Sequence, residues 1–279
     1  MAFIIALDID GTLTTHEGPI PDPVSQFLKK LADEGHDILF LTGRPFSFAF
    51  PVVQNLNFSF HLGVQNGSTL VDIPSKKIIQ KKYIPAINLP LFESIILPYP
   101  FDFLVEGGME AGDKTFFRKE RYSDEDLKYL AYREKIAGAP FIPVTNFAEA
   151  NLTSFPLIKI FGPEDDLRAI EKEITKRVPL SVTVIKDPFR TEKYIALVTQ
   201  QDVNKGTVIR DYKESLALKP KVIVAGDDIN DLPMYTYSDI SIAMETGPQL
   251  LIDKAQIVAK KAADLGIIDA LNQAMRDLG

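Results

Sequence analysis

The chain has 279 residues, 46% of them hydrophobic and 25% charged, with a net charge of -7 and a pI near 5.1. That length exceeds what one hydrophobic core usually serves, so one large domain or two smaller ones is expected. The acidic balance excludes a protein built to wrap nucleic acid, because phosphate contacts need a net basic face. A small anionic partner stays open if positive charge is gathered locally. Cysteine is absent, which excludes disulfides, a thiolate zinc site and a cysteine nucleophile and suits a reducing cytoplasm.

Ala2 to Leu7 is a short, continuously apolar run, the pattern of a strand buried on both faces in a parallel sheet. It meets Asp8 too early, and lacks the basic region, to be a signal peptide. Val24, Phe27, Leu28 and Leu31 fall at helical spacing, with Gly35 where the helix should end. Asp37 to Leu41 predicts a second buried strand, stopped at Thr42-Gly43, and Pro45 opens a helix. His61 to Val64 predicts a third strand. This β-α-β-α-β order implies a doubly wound, mainly parallel (Rossmann-like) sheet with right-handed crossovers.

From Tyr83 to Pro188 the character changes. The strand-like runs Phe101–Val105, Thr115–Lys119, Leu157–Phe161 and Ser181–Ile185 alternate with polar helices, two of them opened by Ser123-Asp-Glu-Asp and Pro163-Glu-Asp-Asp. Residues 83–188 therefore read as an inserted α+β domain, and 1–82 with 189–279 as the α/β core. The core pattern returns as a helix at Thr207–Leu216, strands at Lys221–Ala225 and Ile240–Ala243, a helix opened by Pro248, a strand at Gln256–Val258 and a closing helix at Ile267–Met275. The most apolar stretch elsewhere, Leu89–Val105, is broken by Glu93, Asp102 and three prolines, and a membrane span needs about 18 nearly uncharged residues. No membrane span is expected, and a cytoplasmic location is. Lys76-Lys77 and Lys81-Lys82 read as a solvated hairpin. His16, His36 and His61 lack metal-ligand spacing and read as surface or loop residues.

Asp8-Ile9-Asp10-Gly11-Thr12 follows the first strand, at the carboxyl end where ligands gather in open α/β sheets. Residues two apart in an extended segment share a side, so both carboxylates enter one space and call for a cation or a shared proton. Gly11 lets the chain turn sharply. Alone, the segment reads equally as a turn with two solvated acids. It is not a calcium loop, which needs Gly sixth and Glu twelfth where this chain has Leu13 and Pro19. The cluster Gly226-Asp227-Asp228-Ile229-Asn230-Asp231 fails the same test at Pro233, and Asn204-Lys205-Gly206-Thr207 lacks the glycine-rich turn of a Walker loop.

In order, however, Asp8-Ile-Asp-Gly-Thr, Thr42-Gly43-Arg44, Lys205 and Gly226-Asp-Asp-Ile-Asn-Asp resemble the four motifs of the haloacid dehalogenase-like superfamily. With the large insert between the second and third motifs, the chain resembles the Cof-type phosphatases along nearly its whole length, including the tail Ser241-Ile-Ala-Met-Glu. The resemblance implies a phosphatase acting on a small phosphorylated metabolite, a sugar phosphate or a phosphorylated cofactor. Asp8 would be the nucleophile, forming an aspartyl phosphate, and Asp10 the general acid and then base. Magnesium would lie among Asp8, Asp227 and the backbone carbonyl of Asp10. Thr42, Gly43, Lys205 and Asn230 would hold the phosphoryl group. Asp231 would support the metal shell or cap the following turn, and Arg44 would pack rather than react. Asp228 stands where many relatives carry Ser or Gly. A phosphomutase on sugar phosphates and a non-catalytic phosphometabolite-binding module are the alternatives. Asp10 argues against dehalogenation, and the missing membrane helices argue against an ion pump. Glu106, Arg118 and Arg190 are candidate contacts of the inserted domain with the substrate, but each reads more readily as a solvated or salt-bridged surface residue.

Overall fold

The computed structural model describes residues 2–15, 18–190 and 192–279, so His16 lies outside the described residues. The chain begins with β1 (Phe3–Leu7), α1 (Asp22–Asp33), β2 (Asp37–Leu41), α2 (Phe46–Val53), β3 (Phe60–Val64), β4 (Thr69–Ile73) and β5 (Lys77–Lys81). It continues with β6 (Ile84–Pro85), α3 (Leu89–Ile96), β7 (Phe103–Glu106), β8 (Thr115–Phe117), α4 (Asp124–Ala137), β9 (Phe141–Pro143), β10 (Ser154–Phe155), β11 (Leu157–Gly162), α5 (Glu164–Arg177), β12 (Leu180–Lys186) and β13 (Tyr194–Gln200). It ends with α6 (Lys205–Ser215), β14 (Lys221–Gly226), α7 (Leu232–Tyr235), β15 (Ile240–Met244), α8 (Gln249–Ile252), β16 (Ile257–Ala259) and α9 (Gly266–Leu278).

Two compact units result. The first comprises residues 1–43, 49–80 and 204–279, the second 44–48 and 81–203. In the first, one sheet runs in the order β16-β15-β14-β1-β2-β3-β4-β5. Pairing is parallel from β16 to β3, and β4 is antiparallel to β3. β1 is central and entirely buried, as its unbroken apolar run requires. Ile4, Ala6, Leu39 and Leu41 pack on one face against Val208, Ile209 and Tyr212 of α6. α1 buries Val24, Leu28 and Leu31, an i, i+4, i+7 stripe, and Gly35 follows it at φ +88°. β5 extends the sheet as the second arm of the lysine-rich hairpin.

In the second unit a six-stranded sheet runs β12-β13-β11-β7-β8-β9, antiparallel except for the β8–β9 pair. One face packs on α3 and α5 through Phe92, Ile96, Leu167, Ile170 and Ile174. The other carries Tyr129 and Leu130 of α4. Ser123 caps α4 by accepting the Asp126 N–H at 3.1 Å, and Gly138 ends it at φ +64°. The second chain crossing falls at Val203–Asn204 rather than at 188–189. The reason is β13, which pairs over five residues with β11 and over all seven with β12; its apolar run alone does not reveal which sheet it joins.

His61 departs from the surface or loop reading. It lies inside β3, 4.8 Å from the Tyr212 ring and 3.7 Å from Asp72. His36 accepts the Phe3 N–H through Nδ1 at 3.0 Å and stacks on the Phe3 ring. Burial lowers the pKa of both imidazoles, against the pull of Glu34 on His36 and of Asp72 on His61. A histidine whose folded pKa lies below its unfolded value contributes stability that is full above the unfolded pKa and is lost as pH falls below it. The His36 contribution should therefore shrink as pH falls from about 7 to about 5, read as the difference between the pH profiles of wild type and His36→Asn. A chemical-denaturation series against pH measures it, and an identical pH profile in the variant would remove His36 from the account.

Candidate active site

β1 stands between β14 and β2, with Leu7 level with Ala225 and Phe40. The carboxyl ends of these three strands therefore open side by side, the position where α/β sheets place their chemistry. Asp8 follows β1 and its N–H still donates to Ala225 O at 3.0 Å. The chain then folds into a tight turn. Leu13 and Thr14 N–H both donate to Ile9 O, and Gly11 N–H donates to Thr14 O at 2.8 Å. Gly11 has φ +75°, and a Cβ there would collide with the Asp227 carboxylate. Glycine thus serves both the backbone geometry and the close approach of Asp227 to the turn.

Lys205 enters from the first turn of α6. Asn204 accepts the Thr207 N–H at 3.0 Å and donates its own N–H to the Thr207 hydroxyl at 3.1 Å, a reciprocal cap that fixes the helix start. Gly206 rests on the backbone carbonyl of Pro233, too closely for any side chain. The Lys205 Nζ, almost wholly buried, donates to Asp8 Oδ1 at 2.5 Å and Asp231 Oδ1 at 2.6 Å. Asp231 uses its other oxygen to accept the N–H groups of Asp227 (2.9 Å) and Asp228 (3.0 Å). Asp231 thus orders the turn after β14, the capping reading, and with its other oxygen holds the lysine. Asp228 accepts the Ile229 N–H at 2.7 Å, an N-cap role that explains an acid at this position. Asn230 lies buried on the same turn.

Asp8, Asp227 and Asp231 each offer an oxygen within 4.8 Å of the others. Burial raises the Asp8 pKa, with Lys205 working against the rise and Asp231 and Asp10 adding to it. Burial and the charges of Asp8 and Asp231 raise Asp227 in the same way. For Lys205 burial opposes the charge, but Asp231 and Asp8 outweigh it and keep the ammonium protonated. Three carboxylates face one ammonium, so full ionisation would leave an excess of negative charge, which is part of why the acids resist ionising. The buried Asp8 Oδ2 has no hydrogen-bond partner. Hard oxygen donors gathered in one place, with an excess of negative charge when ionised, fit a hard dication. Asp231, with both oxygens engaged, is placed to support such a site rather than to bind it.

Thr42 follows β2 directly and is buried, donating its N–H to Gly63 O and accepting the Asn66 N–H at its carbonyl (3.0 Å). Gly43 is the last residue of its segment in the first unit. The Arg44 guanidinium sits 3.8 Å over the Phe48 ring and donates to Phe48 O, the packing role expected of it. Asp10 stands at the turn, bridged through its backbone to Thr14. The sequence reading passed over Gln65-Asn66-Gly67 after β3. All three have positive φ (53°, 57° and 97°), all are buried, and Asn66 Oδ1 lacks a partner. Consecutive left-handed residues at a strand end mark stored strain of the kind found at functional sites; the Asn-Gly pair was its visible sign.

In the second unit Arg118 donates from Nε and Nη2 to both oxygens of Asp102 at 2.8 Å and from Nη1 to Glu93 at 3.0 Å. Arg190 bonds Asp126 at 2.8 Å and stacks 3.7 Å over Tyr129. Both arginines hold their own unit together, the salt-bridged alternative. Glu106 is buried and paired with Lys159.

Fold and site define a doubly wound α/β enzyme with a carboxylate–lysine cluster at the carboxyl ends of its central strands. The chain belongs to the haloacid dehalogenase-like hydrolases, whose family profile matches residues 5–271. A protein of Streptococcus pyogenes serotype M6 that carries a provisional phosphatase name is 24% identical over 97% of each chain. The Bacillus subtilis 5-amino-6-(5-phospho-D-ribitylamino)uracil phosphatase YcsE is 21% identical over 98% of this chain and 94% of its own. Among solved structures, a haloacid dehalogenase-like hydrolase from Bacteroides thetaiotaomicron superposes with a TM-score of 0.77 at 19% identity, covering 98% of this chain and all of the other. The subclass IIB sugar phosphatase BT4131 gives the same TM-score at 19% identity, over 97% and 98%. The Cof-type resemblance agrees with these matches; the two curated relatives and BT4131 are named phosphatases, and the other structure a hydrolase.

Proposed function

We propose that the protein is a magnesium-dependent phosphatase that hydrolyses a small phosphorylated metabolite through an aspartyl phosphate on Asp8. The observation that carries this reading is the state of Asp8: one oxygen held by Lys205, the other buried and unpartnered, at the end of the central strand. In this reading the free oxygen attacks phosphorus as the ester P–O bond breaks, and Asp10 gives its proton to the leaving alkoxide. Asp10 then takes a proton from the water that attacks the aspartyl phosphate, releasing phosphate and restoring Asp8. Thr42 would offer its hydroxyl, Gly43 its N–H, and Lys205 and Asn230 their donors to phosphoryl oxygens. Asp8, Asp227 and the Asp10 carbonyl would hold magnesium, which when bound offsets the charge brought together by phosphate and carboxylates. Residues 81–203 would act as a cap that chooses the substrate. Support for a sugar phosphate comes from the name of BT4131, and for a small phosphorylated metabolite more generally from that of YcsE. No described helix is long and apolar enough to cross a membrane.

The test is phosphate release from p-nitrophenyl phosphate and a metabolite panel. Activity should vanish on chelation and return with magnesium, with calcium a poor substitute because it accepts more ligands at longer distance. Magnesium should also raise the melting temperature of the metal-free protein. Full turnover after confirmed metal removal would overturn the reading.

A further inference from the structure

Three neighbouring strands of the first unit end together. Leu7 of β1 is level with Phe40 of β2, and Leu41 of β2 with Gly63 of β3. Asp8 follows the first strand, Thr42 the second and the loop 65–68 the third, before Thr69 of β4 pairs back with Val64. That loop is fastened on two sides. The Asn66 N–H donates to the Thr42 carbonyl at 3.0 Å. Gly67 lies against the start of α6, where a Cβ would stand 2.7 Å from the Asn204 carbonyl oxygen and 2.8 Å from the Val208 side chain. Lys205 is the residue after Asn204. The backbone around Asn66 is thus anchored beside the two residues to which the phosphatase reading gives the phosphoryl group.

Asn66 is 1% exposed, as buried as Thr42 and Lys205. Its φ of 57° and ψ of 29° are left-handed. Asparagine enters that region more readily than most residues, but glycine enters it freely and already fills the next position. Backbone geometry therefore accounts for the turn and leaves the carboxamide unexplained. Among the described residues, Asn66 Oδ1 has no hydrogen-bond partner. A buried polar atom left unpaired costs stability and calls for a role. A carboxamide carries one acceptor oxygen and two N–H donors, and a half-turn of its end exchanges them in nearly the same space.

A phosphoryl group at Asp8 would bring oxygens that accept hydrogen bonds. Neighbouring strands lie about 4.8 Å apart, so the third strand stands roughly 10 Å from the first. An aspartate side chain, a phosphoryl group and an asparagine side chain span such a gap end to end. Asn66 would add a neutral donor there without changing the charge among Asp8, Asp231 and Lys205.

We infer that Asn66 is a further phosphoryl-binding residue, its carboxamide donating an N–H to an oxygen of the transferring group beside Thr42 and Lys205. The inference rests on the phosphatase reading. Such a bond strengthens as charge builds on the phosphoryl oxygens, so it acts on turnover as well as on affinity for phosphate.

The experiment follows hydrolysis of p-nitrophenyl phosphate with magnesium, competitive inhibition by inorganic phosphate, and the urea midpoint. The proteins are wild type, Asn66→Gly and Asn66→Asp. Glycine keeps the left-handed backbone and removes the unpaired amide, so its midpoint should match or exceed that of wild type. Its kcat should fall at least about tenfold, toward the roughly 10²–10³-fold loss of a missing oxyanion donor, and the inhibition constant of phosphate should rise by about tenfold or more. The magnesium concentration for half-activation should stay where it is. Aspartate also tolerates the left-handed region but puts a like charge in place of the donor, so it should lose at least as much on both readouts. Wild-type kcat and phosphate inhibition in Asn66→Gly would overturn the inference and leave the phosphatase reading standing. So would a loss of activity that came with a clearly lower midpoint and a shifted magnesium requirement, the mark of a residue that only shapes the turn. Unchanged phosphate inhibition in Asn66→Asp would overturn it even with a glycine variant that failed to fold. Wild-type protein that releases no phosphate from p-nitrophenyl phosphate with magnesium would remove the phosphatase reading, and the inference with it.

Discussion

Asp8→Asn should lower the rate of phosphate release by at least about three orders of magnitude, because an amide oxygen cannot form the covalent intermediate. The fold should survive. Asp8 is buried, and burial already disfavours its charged form, so a neutral isostere removes a desolvation cost even as it weakens one bond to Lys205. That ammonium keeps Asp231 as its partner at 2.6 Å. A melting temperature within a few degrees of wild type, with turnover near background and no phosphate trapped on the protein, is the expected combination. A folded variant that kept more than a few per cent of wild-type turnover would show that the bond to phosphorus is made elsewhere.

Much of the core could be read from residues because its signals are local. β1 is an unbroken apolar run and β2 is one after its first residue, Asp37, and the turn chemistry that stops each of them, Asp8-x-Asp-Gly and Thr42-Gly, sits in the next residues. The meeting of Asp8, Asp227 and Lys205 in one cluster was accessible only through motif order, since Lys205 is 197 residues from Asp8. Other features depend on partners distant in sequence. β4 was not read as a strand, and its pairing with β3 and β5 on either side makes it one. α3 was passed over because Pro90 interrupts an apolar run, although it falls in the helix's first turn, where a proline is tolerated. β13 looks like a core strand until β11 and β12 are seen on either side of it. Arg118 and Arg190 were legible as charges in a polar insert. That Asp102, Glu93, Asp126 and Tyr129 consume them was not, because ion-pair partners leave no periodic trace. Lys159 was missed for the opposite reason: inside an apolar strand a lysine reads as an outward-facing residue, and only the diagonal Glu106 allows it to turn inward.

Lys205→Met should damage stability and turnover together, and the two losses should respond differently to magnesium. Lys205 is the cation within hydrogen-bonding distance of both Asp8 and Asp231. Methionine matches the length of its stem and removes the charge, which leaves buried carboxylates with no counterion. Breaking a buried ion pair from one side typically costs roughly 3–5 kcal/mol, a large share of a domain's net stability. Protonation of Asp8 and Asp227, whose pKa values burial already raises, limits that cost without removing it. Metal-free variant should therefore unfold at distinctly lower denaturant than metal-free wild type. Adding magnesium should then stabilise the variant more than it stabilises the wild type, because a dication among Asp8 and Asp227 supplies the positive charge that the substitution removed. Turnover should not recover in parallel. The ammonium would be needed against the charge on the transferring phosphoryl group, where loss of one such donor costs about 10²–10³-fold in kcat. Denaturation midpoints and kcat, each followed across a magnesium titration for both proteins, make the comparison. If magnesium restored activity and stability to the same degree, Lys205 would be a structural counterion only. If the metal-free variant were as stable as wild type, the carboxylate cluster would not carry the excess charge on which the magnesium assignment rests.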